Sequence, residues 1–340
     1  MGPSMPHQPA LSVVTPCYNE QDGLPHFLER MIAACRDFAG GSYEIILVND
    51  GSRDQTWACI RALALINPGV VGVNLSRNHG HQLAVTAGLT VARGERVLII
   101  DADLQDPPEL LGAMMKRIDN GYDVAYGRRR ARAGETAVKR GMAHLYYRLL
   151  GQLSDIEIPM DTGDFRLMTR QMVERLNAMP EQDRFLRGMV AWLGGRQTAV
   201  DFDRDPRFAG TSGYDLKKML SLALGGLTSF STAPLRLAAI MTGVGLVVGA
   251  GVGLYVLSGL LLGKVVPGWT SLAMIMVMFS TAQLACLAVL SIYVGRIFTQ
   301  VKQRPLYLIN DIVQTEFAVG LATPTGLAPS PETELTRSVA

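Results

Sequence analysis

The chain has 340 residues, 48% of them hydrophobic, and a formal net charge of +2 at pH 7. That length holds one sizeable globular domain and a further segment, and a charge so near zero excludes the broad basic footprint that nucleic acid demands. The four cysteines, Cys17, Cys35, Cys59 and Cys286, lack metal-type spacing and read as packing residues in a reducing compartment, not as a disulfide framework.

Residues 1–10 read as a disordered start without a signal peptide before Leu11. Short β-branched runs then alternate with helical patterns. Leu11–Thr15, Tyr43–Val48, Val70–Leu75 and Arg96–Ile100 are expected as strands, with helices over Leu24–Phe38, Thr56–Ile66, Gln82–Ala92 and Pro108–Asn120. This alternation predicts right-handed βαβ units, a parallel sheet and helices on both of its faces. Ligands of such sheets gather at the carboxyl ends of the strands, and three polar clusters fall there: Pro16–Glu20, Asn49–Ser52 and Asp101–Gln105. No Gly-rich phosphate loop or dinucleotide fingerprint follows the first strand.

The cluster Leu98-Ile-Ile-Asp-Ala-Asp-Leu-Gln-Asp-Pro-Pro108 carries the most chemistry. An apolar run delivers two carboxylates, Asp101 and Asp103, to the end of a strand, where burial costs several kcal/mol, as an order of magnitude, unless a cation neutralises them. Oxygen ligands from Asp101, Asp103 and the Gln105 amide suit Mg²⁺ or Mn²⁺, which in turn suits a diphosphate. A solvated acidic turn is the bland alternative.

Beyond the sheet, Leu216, Met219, Leu220, Ala223, Leu227 and Phe230 share one helical stripe beside Lys217 and Lys218, as expected of a helix lying in a bilayer interface or packed on the domain. Leu237–Gly263 and Trp269–Val294 carry no charge, and each exceeds the roughly 20 residues that cross a bilayer. Two transmembrane helices joined by Lys264–Gly268 are therefore expected, and Gly243, Gly245, Gly249, Gly251 and Gly253 permit close helix packing and an oligomer. Basic flanks (Lys217, Lys218, Arg236, Arg296, Lys302, Arg304) place both ends of the pair in the cytoplasm, with Lys264 mildly opposed. The tail after about Thr315 reads as disordered.

Taken together, Val14-Thr-Pro-Cys-Tyr-Asn-Glu20, Val48-Asn-Asp-Gly-Ser52, Ser76-Arg-Asn-His-Gly80, the Asp101–Pro108 run, Asp161-Thr-Gly-Asp-Phe-Arg166, Pro234-Leu-Arg236 and Tyr293-Val-Gly-Arg296 resemble the polyisoprenyl-phosphate glycosyltransferases, family 2 enzymes that include the bactoprenol glucosyltransferases and dolichyl-phosphate mannose synthase. The resemblance covers about Leu11 to Pro305. It implies a GT-A-type, Rossmann-like catalytic domain (11–210), a juxtamembrane amphipathic helix (211–235), a transmembrane pair (236–296) and a cytoplasmic C-terminal segment (297–340). Asn49 stands where many relatives carry a second Asp, and Gly213 where they often carry a Lys.

The implied reaction is inverting transfer of one sugar, expected to be glucose from a UDP donor, to the phosphate of a membrane polyprenol such as undecaprenyl phosphate, at the inner membrane. Nucleotide-sugar contacts are expected from Pro16, Tyr18, Glu20, Asp50, Asp101, Ala102, Asp103 and Gln105, and Glu20 equally suits a helix cap. Asp164, with Asp161 and Asp103, is expected at the reacting centre as a sugar-hydroxyl or weak-base residue, or else in an ion pair to Arg166. Arg129, Arg140 and Arg207 are expected to hold the lipid phosphate through guanidinium forks, whereas Arg130 and Arg132 suit anionic headgroups. His79 and His81 are expected to cap or pack a loop. A processive polysaccharide synthase would carry Gln-x-x-Arg-Trp and more spans. An inactive membrane scaffold or lipid-translocation partner would have no physical need for paired acids.

Overall fold

Apolar runs that alternate between two cores build the sheet. The computed structural model describes residues 8–129, 162–203, 233–262 and 268–315. Strands β1 (Leu11–Cys17), β2 (Tyr43–Asn49), β3 (Val70–Leu75) and β4 (Arg96–Ile99) run parallel in the order β4-β1-β2-β3. Helices α1 (Leu24–Ala39), α2 (Thr56–Ile66) and α3 (His81–Val91) follow the first three strands, and a 3₁₀ turn (Pro108–Leu110) and α4 (Leu111–Asp119) follow β4. Each expected element is present to within two residues at its ends, apart from that opening turn.

Val13, Ile45, Leu47 and Leu98 point into one core with Phe27, Met31, Ile60 and Met114. Their neighbours Val14, Ile46, Val48, Val97 and Ile99 point into the other, with Val85, Met172 and Met189. Covering both faces is why these strands read as continuous apolar runs.

The sheet is mixed, not wholly parallel. Its order is β7-β5-β6-β4-β1-β2-β3-β8, with β5 (Val124–Arg129), β6 (Thr162–Thr169), β7 (Gln197–Phe202) and β8 (Ile309–Gln314) added. β6 enters antiparallel between β4 and β5, and β8 closes the far edge antiparallel to β3. β8 comes from the segment set apart above as C-terminal, so the catalytic sheet draws on both ends of the chain. Its Val313 packs on the core, and the Ser76 amide donates to Leu308 O. Helices α5 (Arg170–Ala178) and α6 (Leu186–Leu193) complete the second core.

Two long helices follow, α7 (Ala233–Leu261) and α8 (Trp269–Val301). They pack antiparallel, with Cys286 Sγ 3.5 Å from Ala238 O and the Phe279 ring beside Gly245. Among the described residues one stretch, Met278–Val301 in α8, is long and apolar enough to cross a membrane, with a mean hydropathy of 1.7 and none of it buried. The apolar stretch of α7 is shorter, Ala238–Gly251. Both predicted spans thus fall on helices, but only the second meets that test. The expected interfacial helix and the tail after Thr315 lie outside the described residues.

Gly88 lets α3 lie close on the sheet, because a Cβ there would stand 2.3 Å from Val14 Cγ1. Ala carries a helix-propensity advantage of about 1 kcal/mol, but overpacking a core typically costs about 1–3 kcal/mol. Gly88→Ala is therefore expected to destabilise, read as a lower midpoint in a denaturant titration followed by tryptophan fluorescence; an unchanged or higher midpoint would contradict this packing.

Candidate active site

At the carboxyl edge of the sheet three loops are tied to one another by short hydrogen bonds. The Asn19 amide donates to Ser52 Oγ (3.1 Å), the Arg53 amide to Asn19 Oδ1 (2.9 Å) and the Glu20 amide to Thr56 Oγ1 (2.9 Å). Asn19 holds a left-handed φ of 56° to do so. Asp50, 3% exposed, accepts the His79 and Gly80 amides on its two oxygens (2.7 and 2.9 Å). Burial pushes its pKa up while those amides pull it back. Gly51, with φ +61°, lies so close to the next loop that a Cβ would sit 2.4 Å from Arg77 C. Asp50 is thus the anchor of the Ser76–Gly80 loop, and any contact to a base or ribose has to use its remaining lone pairs.

Tyr18 is 40% exposed at this edge, whereas Pro16 lies inside β1 and Ala102 is buried among core residues. The Glu20 carbonyl accepts the Leu24 amide (3.1 Å) at the start of α1, whose N-cap residue is Gly23.

The register of β4 with β6 decides the chemistry. Arg96 faces Thr169 and Ile99 faces Arg166, and continuing that register sets Asp101 opposite Asp164. Asp164 is 6% exposed and engaged on both oxygens: Arg187 Nε donates to Oδ1 (2.8 Å), Gln82 Nε2 donates to Oδ2 (2.9 Å), and His81 Nε2 stands 3.0 Å from Oδ2. Burial opposes ionisation, but His81, Arg187 and Arg166 outweigh it and hold the carboxyl well below the usual carboxylate range. For His81, burial disfavours the cation, yet the bond to Asp164 and the charges of Asp101 and Asp164 raise its pKa. Arg166 is wholly buried; burial lowers its pKa to about 10, and its guanidinium donates to Gly163 O (3.1 Å).

Asp101 is built differently. Its Oδ1 is buried with no hydrogen-bond partner, and the His81 ring is 3.7 Å away. Burial, then the carboxylates of Asp164, Asp106 and Asp103, raise its pKa to about 6, with His81 acting the other way. Two residues on, Asp103 Oδ1 accepts the Gln105 amide (3.1 Å), and Leu104 between them holds a left-handed φ of 58°. Such backbone strain in a bulky residue is characteristic of a functional turn. Among the described residues no three acidic, His or Cys side chains converge on one cation position. Two carboxylates and an amide fit a Mg²⁺-type ion all the same, since such ions take one or two protein carboxylates and complete their shell with substrate phosphates and water.

The sequence reading of His81 as loop packing is corrected: its ring bridges the two acids. Arg187 and Gln82, which carry Asp164, had no sequence signal, because they come from other elements. His79 does pack its loop, with its ring 3.4 Å from Ser76 Oγ. The expected Asp164–Arg166 pair is long (4.0 Å), and Arg187 takes the closer place. Arg129 ends β5. Its neighbour Arg128 forks onto Asp201 (2.6 and 3.0 Å). Asp161, Arg140 and Arg207 lie outside the described residues.

Known proteins share this arrangement of sequence. The family described as glycosyl transferase family 2 matches residues 12–176. An uncharacterised glycosyltransferase of Bacillus subtilis, YkcC, is 43% identical over 307 residues, spanning 88% of this chain and 93% of that protein. The SfII prophage-derived bactoprenol glucosyl transferase of Shigella flexneri is 37% identical over 304 residues, spanning 88% and 97%. Among solved structures, mannosyl-3-phosphoglycerate synthase from Rubrobacter xylanophilus is 18% identical with a TM-score of 0.44, covering 64% of this chain and 71% of that one.

Removing Asp164 strands the buried Arg166 guanidinium, and breaking a buried pair costs about 3–5 kcal/mol. Asp164→Ala is expected to lose stability on that scale in denaturant titrations. Asp164→Asn, which still accepts from Gln82, should lose clearly less, and equal losses would show that the charge array does not hold the site together.

Proposed function

Because the chain belongs to glycosyl transferase family 2, we propose that its α/β domain of GT-A type transfers one sugar, glucose from UDP-glucose, to the phosphate of undecaprenol, with inversion at the anomeric carbon. The observation that carries this reading is the Asp101–Asp103 turn, whose orphaned Oδ1 calls for a cation, set against a permanently ionised Asp164 on the neighbouring strand. The bactoprenol glucosyl transferase relatives support the acceptor class.

The Tyr18–Glu20 and Asp50–Ser52 loops border the donor nucleotide, with Pro16 and Ala102 beneath it. Asp101, Asp103 and Gln105 hold a Mg²⁺ or Mn²⁺ ion that, when bound, offsets charge on the departing diphosphate. Asp164 is too strongly held as an anion to take up a proton near neutral pH; it accepts hydrogen bonds from sugar hydroxyls and keeps Arg187 and His81 in place. No base is needed, since a phosphate monoester is already an anion and attacks directly. Asp161 contributes a second acid to sugar binding, and Arg129, Arg140 and Arg207 hold the acceptor phosphate, each guanidinium offering a fork to two oxygens.

The acceptor's lipid sets the topology. α7 has 29 residues, about 43 Å at ~1.5 Å per residue, long enough to span roughly 30 Å of hydrocarbon beside α8. β8 follows α8 and pairs with β3, so the chain returns to the side of the bilayer that holds the catalytic sheet. The domain boundaries 11–210, 211–235 and 236–296 fit this reading once residues 309–314 are added to the catalytic sheet, and both termini are cytoplasmic.

Radiolabelled nucleotide sugars offered with undecaprenyl phosphate in detergent are expected to give lipid-phase product, best with UDP-glucose; no product from any donor overturns the reading. EDTA should abolish transfer, Mg²⁺ or Mn²⁺ should restore it, and Asp103→Asn should lower kcat by about 100-fold or more. Arg129→Ala and Arg140→Ala should raise KM for the lipid phosphate more than for the donor. With native cysteines removed, a Cys at Pro267 should react with an impermeant reagent in intact cells and a Cys at Gln303 should not.

A further inference from the structure

The cytoplasmic end of α8 is wired to the reacting centre by a short segment. One side chain of α8, Gln300, makes two opposed hydrogen bonds: its Nε2 donates to Pro180 O (2.8 Å) and its Oε1 accepts the Gln182 amide (2.9 Å). One turn earlier on the same face, Arg296 pairs with Asp183 (3.2 Å). The segment held in this way runs straight into α6. There the Leu186 amide donates to Gln82 Oε1 (2.9 Å), and Arg187, the next residue, donates to Asp164. Residues 180–187 are thus tied at one end to a membrane helix and at the other to the two residues, Gln82 and Arg187, that orient the Asp164 carboxylate.

Past these ties, Leu186, Met189 and Val190 pack α6 into the second core. α6 is short, Leu186–Leu193, and its first turn has no side-chain cap. The preceding residues lead directly into that first turn, and a guanidinium that must meet a carboxylate at 2.8 Å is sensitive to how the chain enters it. Misplacement by about 1 Å can cost about 100-fold in rate even when the altered residue is far from the chemistry.

We infer that Gln300 is a positioning residue for sugar transfer: by clamping residues 180–182 it sets Arg187 on Asp164, so that the reacting centre is fully formed only when the end of α8 is docked on the catalytic domain. This rests on the transferase reading above. Its consequence is that a site working on a lipid phosphate is assembled by the helix that anchors it to the lipid.

The test uses the full-length protein in detergent or nanodiscs. Gln300→Met keeps the side chain's bulk and deletes both hydrogen bonds; it is expected to lower kcat about 10-fold or more while shifting the donor KM by less than about 2-fold. In an Arg187→Ala background the same change should have almost no further effect, since the path it acts through is already cut. Multiplying losses in the double variant would show an independent structural role and overturn the inference, as would a wild-type kcat in Gln300→Met. Hydrogen exchange reads the link without turnover: Gln300→Met should speed exchange over residues 181–188 and leave β1 and β2 unchanged. Failure of wild type to transfer any sugar overturns the function proposed above but leaves this exchange difference to decide the coupling, and unchanged exchange overturns the coupling whatever the transfer assay gives.

Discussion

Two carboxylates brought face to face on neighbouring strands are the constraint around which the site is built. Asp101 and Asp164 end up opposite one another because β6 runs antiparallel beside β4, and like charges in a half-buried cleft cannot both ionise without cations nearby. The protein solves half of the problem itself. Asp164 receives Arg187, His81 and Gln82, with Arg166 close behind, and is locked as an anion. Asp101 makes no hydrogen bond on its buried Oδ1, which faces the His81 ring at 3.7 Å, and burial with the nearby carboxylates raises its pKa to about 6. The asymmetry separates them: one acid is spent on organising protein cations, and the other belongs to the proposed metal site.

The rest of the sheet exists to hold that edge still. Strands buried on both faces give the four parallel elements no freedom to shift register, since a slip by one residue would exchange the two cores. Loops at their carboxyl ends are then fixed to each other by main-chain donors on side-chain acceptors: Ser52, Asn19 and Thr56 between the first two loops, and Asp50 between the second and third. At the opposite edge a half-buried ion pair does similar work. Glu44 accepts from Ser12 Oγ (2.6 Å) and from the Arg93 guanidinium (2.7 Å), tying β1, β2 and the end of α3 together away from the chemistry.

The C-terminal part of the chain is not an appendage. β8 pairs with β3, Tyr307 bonds Thr90 on α3 (2.9 Å), and Gln300 and Arg296 grip the loop before α6. α8 therefore runs directly into the α/β domain. For the proposed transfer to a lipid phosphate, such a joint would fix the orientation of the site with respect to the surface that presents the acceptor.

Much of this was legible in the residues alone. The β1–β4 and α1–α4 alternation is strong because each element has its own hydrophobic period, and Asp101, Asp103 and Gln105 stand out because acids at the end of an apolar strand demand an explanation. What the sequence could not place were residues whose meaning is a partner far along the chain. Arg187 and His81 are 23 and 83 residues from Asp164, and on their own stretches they look like an ordinary helix arginine and a loop histidine. β6 and β8 were likewise invisible as sheet members, since antiparallel insertion between strands and closure of an edge by a segment from beyond α8 are choices of topology that no local period encodes. The sequence by itself determined β1–β4, the acidic turn and the apolar run of α8, because those depend on nearest neighbours along the chain; the tertiary structure alone decided which cations meet which carboxylate, because that depends on the register between strands.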